Sequence, residues 1–334
     1  MIINAYAADA PGAELKPFTY EAADPTGTQV RVKVEACGIC YSDVSLWKNE
    51  WEFSEYPLVP GHEVVGIVEA TGPAVASLNE GDRVGIGWFS KSCMTCDSCM
   101  AGDHNLCASA EGISVGRHGG FADRVVVDEA WAVPVPSAIS PECAGPLFCG
   151  GITVFNPILQ SGVKPTDRVG VVGIGGLGHM ALQFLDKWGC EVTAFTSNPA
   201  KAERAKQLGA DHVVSSTDTA AMEALAGKFD FLLITVNVPL DWSAIMATLG
   251  PRGTLHVVGA VSEPLPIAAF DLIMQQRTVA GSPLGSPKSC RTMLEFAARH
   301  GIAPTVETFP FSQVNEAMAK LIDEKPAHRL VLVH

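Results

Sequence analysis

The sequence predicts an α/β chain in two parts: a doubly wound parallel sheet and a separate β-rich domain. Three observations carry this. At 334 residues the chain is too long for one compact core, so two domains are expected. In its first third, short stretches alternate polar and apolar residues between Gly- and Pro-rich turns. Beyond about residue 150, wholly apolar short runs alternate with helical segments, the pattern of parallel strands covered on both faces. The change of texture puts the β-rich part in about the first 150 residues and the parallel sheet beyond it.

Taken in order, QVRVKVEACGI and VVGIVEATG alternate with period 2 and read as strands. Turn signals follow at Tyr56-Pro57, Val59-Pro60-Gly61, Thr71-Gly72-Pro73 and Glu80-Gly81-Asp82. A Pro-rich passage from Val133 to Pro146 closes this part. The apolar runs RVGVVGI, EVTAF, FDFLLITV, TLHVVGA and RTVAGS then read as buried strands, and KAERAKQLGA as a helix between two of them. A helix over CRTMLEFAARHG and a last strand, RLVLV, end the chain.

Composition narrows the function. Acidic residues number 36 and basic residues 23, a net charge of −13, which argues against nucleic acid or an anionic membrane as partner. No run of 18 apolar residues suggests a membrane span, and the first residues lack the basic and apolar regions of a secretory signal. Ten cysteines in a chain of this kind point to metal and free thiols, and to the cytoplasm.

Four of those cysteines, Cys93, Cys96, Cys99 and Cys107, stand in the spacing C-x2-C-x2-C-x7-C. Thiolates so spaced can close the tetrahedral shell of one zinc ion, which folds the loop and leaves no position for chemistry. Two disulfides or four unrelated thiols are the other readings, and adjacent bridges in a CxxCxxC run would be strained.

A dinucleotide site is expected at the strand Val169–Val172, which runs into Gly173-Ile174-Gly175-Gly176-Leu177-Gly178 and then a helix. In this strand–turn–helix setting the glycines serve a tight turn, close approach to a pyrophosphate and close packing of helix on strand. The helix start adds unpaired amides, completing a Rossmann fingerprint. The tip of the next strand selects the adenosine ribose. NAD binding expects a carboxylate there, whereas this chain has Thr196, Ser197 and Asn198, then Lys201. Hydroxyls and a cation suit a 2′-phosphate, so NADP(H) is favoured, although Lys201 is also readable as a solvated helix residue.

Cys40 in CGICYSD, His62 in PGHE and Cys149 in PLFCGG each have a bland explanation, and spacing alone does not join them. The whole chain, however, resembles the zinc-dependent medium-chain dehydrogenase/reductase superfamily, and within it the cinnamyl-alcohol-dehydrogenase-like group of NADP-dependent alcohol dehydrogenases and aldehyde reductases. CGICYSD, VPGHEVVGIV, GDRVGIG, the four-cysteine loop, LFCGGITVF, VGVVGIGGLGHMALQF, KAERAKQLGAD and NEAMAKLIDEKPAHRLVL carry the resemblance in the family's order. It implies a GroES-like fold for a β-rich, zinc-binding catalytic domain formed by residues 1–150 and 286–334, a Rossmann cofactor domain over 151–285, and two zinc ions per chain. Cys40, His62 and Cys149 become ligands of a catalytic zinc, the Cys2His set known for alcohol dehydrogenases. Glu63 becomes the acid beside the metal. Asp43 orients the His62 ring, and Ser42 bonds the substrate oxygen and passes on its proton. Ser197 and Lys201 match positions that hold the 2′-phosphate, and Thr153 a residue near the nicotinamide. Zinc would act as Lewis acid while hydride passes between NADP(H) and a primary alcohol/aldehyde pair. Dimer formation through an edge strand near Val279 to Ser282 is also implied.

Three departures from the group stand out. Tyr41 replaces a His after the first ligand. Ser45 replaces a His that ends the proton relay in many relatives. The segment from Cys107 to Gly119-Gly120 is shorter than in plant-type enzymes. Trp88 and Trp51 are readable either as pocket walls or as plain core. Two other functions compete: an NAD-dependent zinc alcohol or polyol dehydrogenase, and a non-catalytic zinc- and NADPH-binding redox sensor using Cys37, Cys143, Cys190 and Cys290.

Overall fold

In the computed structural model, which describes residues 1–261, 263–324, 326 and 328–334, the chain forms two compact units. One comprises Met1–Ile152 and Gly285–His334, the other Thr153–Leu284. Lys325 and Ala327, within the closing motif NEAMAKLIDEKPAHRLVL, lie outside the described residues, as does Ser262.

The first unit is built on a seven-stranded sheet ordered Val306–Pro310, Arg329–Val333, Gln29–Ile39, Val64–Thr71, Arg83–Ile86, Val133–Pro134, with Arg124–Asp128 paired off this path to Gln29–Ile39. Along Gln29–Ile39 the period-2 pattern buries Val30, Val32 and Val34. The alternation ends at Ala36, after which Cys37, Gly38 and Ile39 are all buried. A register shift between Val34 and Ala36 accompanies the change. This end of the strand delivers Cys40 as the residue before the helix Tyr41–Lys48. The last strand pairs antiparallel to it, Leu330 opposite Ile39, so Arg329 at its start arrives beside the same end. The helix Pro287–His300 has Pro at its first position, a Ser286 side chain accepting from Ser289 N, and Gly301 in the left-handed region (φ 65°) at its end. Its buried Cys290, Met293, Leu294 and Ala297 follow the 3.6-residue period.

The second unit is a six-stranded, wholly parallel sheet. Its order is His212–Ser215, Glu191–Thr196, Arg168–Val172, Phe229–Ile234, Leu249–Val257, Thr278–Gly281. Starting from Arg168–Val172 the chain winds one way to His212–Ser215, then crosses back to the other side. The glycine turn therefore opens at the switch point, where ligands of such sheets bind. Five strands correspond to the apolar runs read from sequence. The sixth, His212–Ser215, was not legible: it is a short edge strand, none of whose residues is fully buried, so it shows no apolar run. No helix among the described residues is long and apolar enough to cross a membrane.

Candidate active site and cofactor turn

Four side chains converge in the first unit. The ligand-capable atoms of Cys40, His62, Glu63 and Cys149 all lie within 4.8 Å of one another. Cys40 caps the helix Tyr41–Lys48, and His62 and Glu63 immediately precede the strand Val64–Thr71. Cys149 lies in the π-type turn Leu147–Gly151, a wide turn of the kind that recurs at functional sites. Cys40 Sγ and Cys149 Sγ are 3.8 Å apart. Sulfurs about 2.3 Å from a tetrahedral zinc stand about 3.8 Å from each other, so the pair fits one ion. His62 Nε2 lies 3.3 Å from Cys149 Sγ, on the side where a third ligand belongs.

Asp43 fixes this arrangement. It is fully buried, and its Oδ1 meets His62 Nδ1 at 2.9 Å and accepts from Gly61 N at 2.9 Å. Its Oδ2 accepts from Cys40 N, also at 2.9 Å. With Nδ1 as donor to the carboxylate, Nε2 keeps its lone pair for a metal. Burial pulls the His62 imidazole down, but the charge and hydrogen bond of Asp43 outweigh it and hold the ring above its usual range. The thiol of Cys149 donates to Cys40, which holds the Cys40 sulfur well below the ordinary thiol range. Ser42 Oγ lies 3.7 Å from Cys40 Sγ, at the rim of the cluster.

Glu63 is fully buried and pairs with Arg329. Burial pushes its carboxyl up to about 7, although the Arg329 charge works in the other direction. Its Oε2 has no hydrogen-bond partner among the described residues, an orphaned acceptor facing a cluster of ligand atoms. Gly38 makes the room: a Cβ there would lie 1.9 Å from that oxygen. Arg329 escaped the sequence reading. The one trace of it is a lone cation opening the otherwise apolar strand RLVLV.

An aromatic series leads away from the cluster. The Trp88 ring meets His62 edge-on at 5.1 Å between centroids and Trp51 at 5.9 Å, and Trp51 stacks on Phe53 at 5.7 Å. Trp51 and Phe53 are 36% and 46% exposed, so this series runs from buried ligand to surface. Phe53 had no sequence motif to mark it.

The second cluster is Cys93, Cys96, Cys99 and Cys107, again within 4.8 Å of one another. Cys93 Sγ and Cys99 Sγ are 4.0 Å apart, far beyond a disulfide bond. All ten cysteines are free thiols. Backbone amides turn inward: Cys96 N donates to Cys93 Sγ at 3.3 Å and Cys93 N to Cys107 Sγ at 3.5 Å. Four sulfurs ringed in this way fit a closed zinc shell, as the spacing predicts.

In the second unit the turn after Arg168–Val172 has the form the fingerprint requires. Gly173 is in the left-handed region (φ 95°). A Cβ on Gly178 would meet Gly173 O at 2.0 Å, so helix and turn touch there, whereas one on Gly175 would meet nothing within 4 Å. That clearance, with Gly176 and Leu177 leading into the helix Gly178–Trp188, is the kind of space that close approach of a pyrophosphate requires. Lys201 Nζ donates to Ile174 O at 2.9 Å, so its charge sits over this turn. Ser197 is exposed at the strand tip. Thr196 is buried, and its hydroxyl bonds the backbone of Asn198, whose side chain in turn accepts from Ala200 N. Thr196 thus turns its hydroxyl onto the backbone of the tip, while Asn198 stays exposed. Thr153 is half-buried in the first turn of the helix Ile152–Gln160.

Comparison with known proteins agrees with this geometry. Residues 26–137 match the alcohol dehydrogenase GroES-like domain, and residues 176–299 the zinc-binding dehydrogenase family. Aldehyde reductase AdhA of Synechocystis sp. is 51% identical over 100% of this chain and 99% of its own length. Probable cinnamyl alcohol dehydrogenase 8A of Oryza sativa subsp. japonica is 40% identical over 98% of this chain and 93% of its own length. Among solved structures, a cinnamyl alcohol dehydrogenase of Sorghum bicolor superimposes with a TM-score of 0.95 at 37% identity, covering 100% of this chain and 98% of that one. CAD of Helicobacter pylori, complexed with NADP(H), does so at 0.90 and 28%, with the same coverage. With the fold, both cysteine clusters and the glycine turn in place, the chain belongs to the zinc-dependent medium-chain dehydrogenase/reductase superfamily, in its cinnamyl-alcohol-dehydrogenase-like group of alcohol and aldehyde oxidoreductases.

Proposed function

We propose that this enzyme reduces aldehydes to primary alcohols with NADPH, with the reverse oxidation at the same site. The observation that carries the reading is the open Cys40–His62–Cys149 cluster with its imidazole locked by Asp43. Cys40, His62 and Cys149 would hold a catalytic zinc, and Cys93, Cys96, Cys99 and Cys107 a structural one. A zinc held by Cys40, His62 and Cys149 would supply Lewis-acid polarisation of the substrate oxygen. The protein's own groups do the rest. Asp43 fixes the His62 tautomer, Ser42 holds the hydroxyl proton of the substrate, and the Glu63–Arg329 pair sets the charge behind the cluster.

The residues 1–150 and 286–334 form the catalytic domain in this reading, and 151–285 the cofactor domain. Gly173, Gly175, Gly176, Leu177 and Gly178 would cradle the pyrophosphate, and Thr153 would lie near the nicotinamide. Ser197 and Lys201 would bind the 2′-phosphate on a tip shaped by Thr196 and Asn198. NADP(H) is the bound cofactor of the Helicobacter pylori relative, which supports the same choice here. The wall of Trp88, Trp51 and Phe53 favours large apolar or aromatic aldehydes over acetaldehyde, because stacking gains most from planar substrates.

The enzyme would act as a cytoplasmic homodimer. Ten free thiols suit a reducing compartment. The edge strand Thr278–Gly281 offers an unpaired ladder, and Phe270, Ile273 and Met274 nearby in sequence are 73%, 67% and 69% exposed. NADPH depletion against a panel of aliphatic and aromatic aldehydes tests the substrate reading. Turnover should rise from acetaldehyde to cinnamaldehyde-sized aldehydes, and a flat or inverted order would reject the aromatic wall.

A further inference from the structure

Oxidation of an alcohol releases a proton as well as a hydride. The C–H bond breaks with its electron pair leaving to the nicotinamide, and the O–H proton has to reach water. Ser42 begins that route in the function proposed above, but Ser45, one helical turn on, is not the imidazole that would end it. A serine hydroxyl hands on a proton only while receiving another, and cannot store one at neutral pH.

The structure places a carboxylate next to Ser45, open to water. Ser45 lies on the same face of the helix Tyr41–Lys48 as Ser42. It is 4% exposed, and its hydroxyl donates at 2.7 Å to Glu50 Oε2. The helix ends at Asn49 in the left-handed region (φ 57°), and Glu50 N then returns to Ser45 O at 2.9 Å. This turn folds the Glu50 carboxylate back onto the buried hydroxyl while Glu50 itself stays exposed to water.

We propose that Ser45 and Glu50 form the proton exit of this enzyme, a hydroxyl–carboxylate pair in place of an imidazole. The Ser42 proton crosses the intervening turn through one water or ligand hydroxyl to Ser45. Ser45 passes its own proton to the Glu50 carboxylate, which releases it to bulk water. At each oxygen one O–H bond forms as one breaks, and the net product is one solvated proton per hydride transferred. Aldehyde reduction runs the same path inward.

The test is alcohol oxidation at saturating NADP+ by the holoenzyme, the parent against Glu50→Gln and Ser45→Ala. Glutamine still accepts the Ser45 hydrogen bond through its amide oxygen, so the loop stays in place, but it takes no proton. The expected result is a kcat about 10- to 100-fold lower, at or below the low end of what a positioned proton-transfer group contributes. KM should stay within about twofold. The solvent deuterium isotope effect on kcat should rise, and proton release to a pH indicator should slow in the first turnover. Adding Ser45→His to Glu50→Gln should recover most of the rate. Folded variants with the parent's kcat and isotope effect would overturn the proposal, as would a loss tracking a fallen Tm with no change in isotope effect. A parent chain that oxidises no alcohol would reject the function proposed above instead.

Discussion

Asp43 and His62 meet at 2.9 Å with no exposure of either side chain. This contact joins the first turn of a helix to the segment before a strand, and it decides which imidazole nitrogen can bind metal. Asp43→Asn keeps the shape but leaves one accepting oxygen where three N–H groups, from Cys40, Gly61 and His62, converge on two, so its NH2 opposes at least one of them. Loss of such an outer partner typically costs about 10–100-fold in metal affinity or activity. Zinc retained after dialysis against a weak chelator, read beside kcat/KM, should fall by that factor. Unchanged values would remove Asp43 from the site.

Two zinc ions per chain are expected, with separable roles. Cys149→Ser should leave about one zinc in a folded, inactive protein. Cys99→Ser should instead lower Tm and soluble yield, because removing one of four inward-facing thiols opens the zinc shell expected to order the loop. Metal analysis of the purified chain and circular dichroism of both variants check this. One zinc per parent chain contradicts it.

Arg329 and Glu63 form a buried pair. Breaking such a pair from one side typically costs about 3–5 kcal/mol, since the remaining charge has neither water nor partner. Arg329→Met should therefore destabilise strongly, while the double variant Arg329→Met with Glu63→Gln should recover part of the loss. Denaturant titration of the three proteins measures the coupling, and strict additivity would show that the two side chains do not interact.

The sequence made much of this site readable, and the rest was hidden for physical reasons. The cysteine loop and glycine turn are local, so their spacing alone exposes them. Cys40, His62 and Cys149 come from three distant segments, and only resemblance joined them. Arg329 and Phe53 carry no motif: one is paired across 266 residues, the other recruited by stacking on Trp51. Thr196 shows the opposite limit. Its residue type suits phosphate binding, and the bonds its hydroxyl makes to the Asn198 backbone are set by geometry that one-dimensional spacing does not encode. The strand His212–Ser215 was missed because edge position removes the apolar run by which the other strands were found.

His256 makes stability depend on pH. It is 1% exposed, lies between Ser161 (3.2 Å) and Ser282 (3.0 Å), and burial pushes its pKa down to about 4. The folded pKa is below the unfolded one, so this contribution is full above about pH 6.5 and is lost as pH falls toward 4. The loss reaches about 3 kcal/mol at pH 4, from the difference between the two pKa values. Tm followed from pH 7 to 4.5 should drop less in His256→Gln than in the parent. Parallel curves would assign the acid sensitivity elsewhere.

Cofactor choice tests the account most directly, because the proposed preference for NADP(H) rests on Ser197 and Lys201 in place of a carboxylate at the strand tip. A charge-assisted hydrogen bond contributes about 1.5–3 kcal/mol, or roughly ten- to hundredfold in preference. Lys201→Ala should weaken NADPH and leave NADH nearly unchanged, and Ser197→Asp should reverse the order by repelling the phosphate. The decisive measurement is kcat/KM for NADPH and NADH in the parent enzyme on one aromatic aldehyde. A ratio of ten or more for NADPH is predicted; equal values, or a preference for NADH, would contradict the reading of this site.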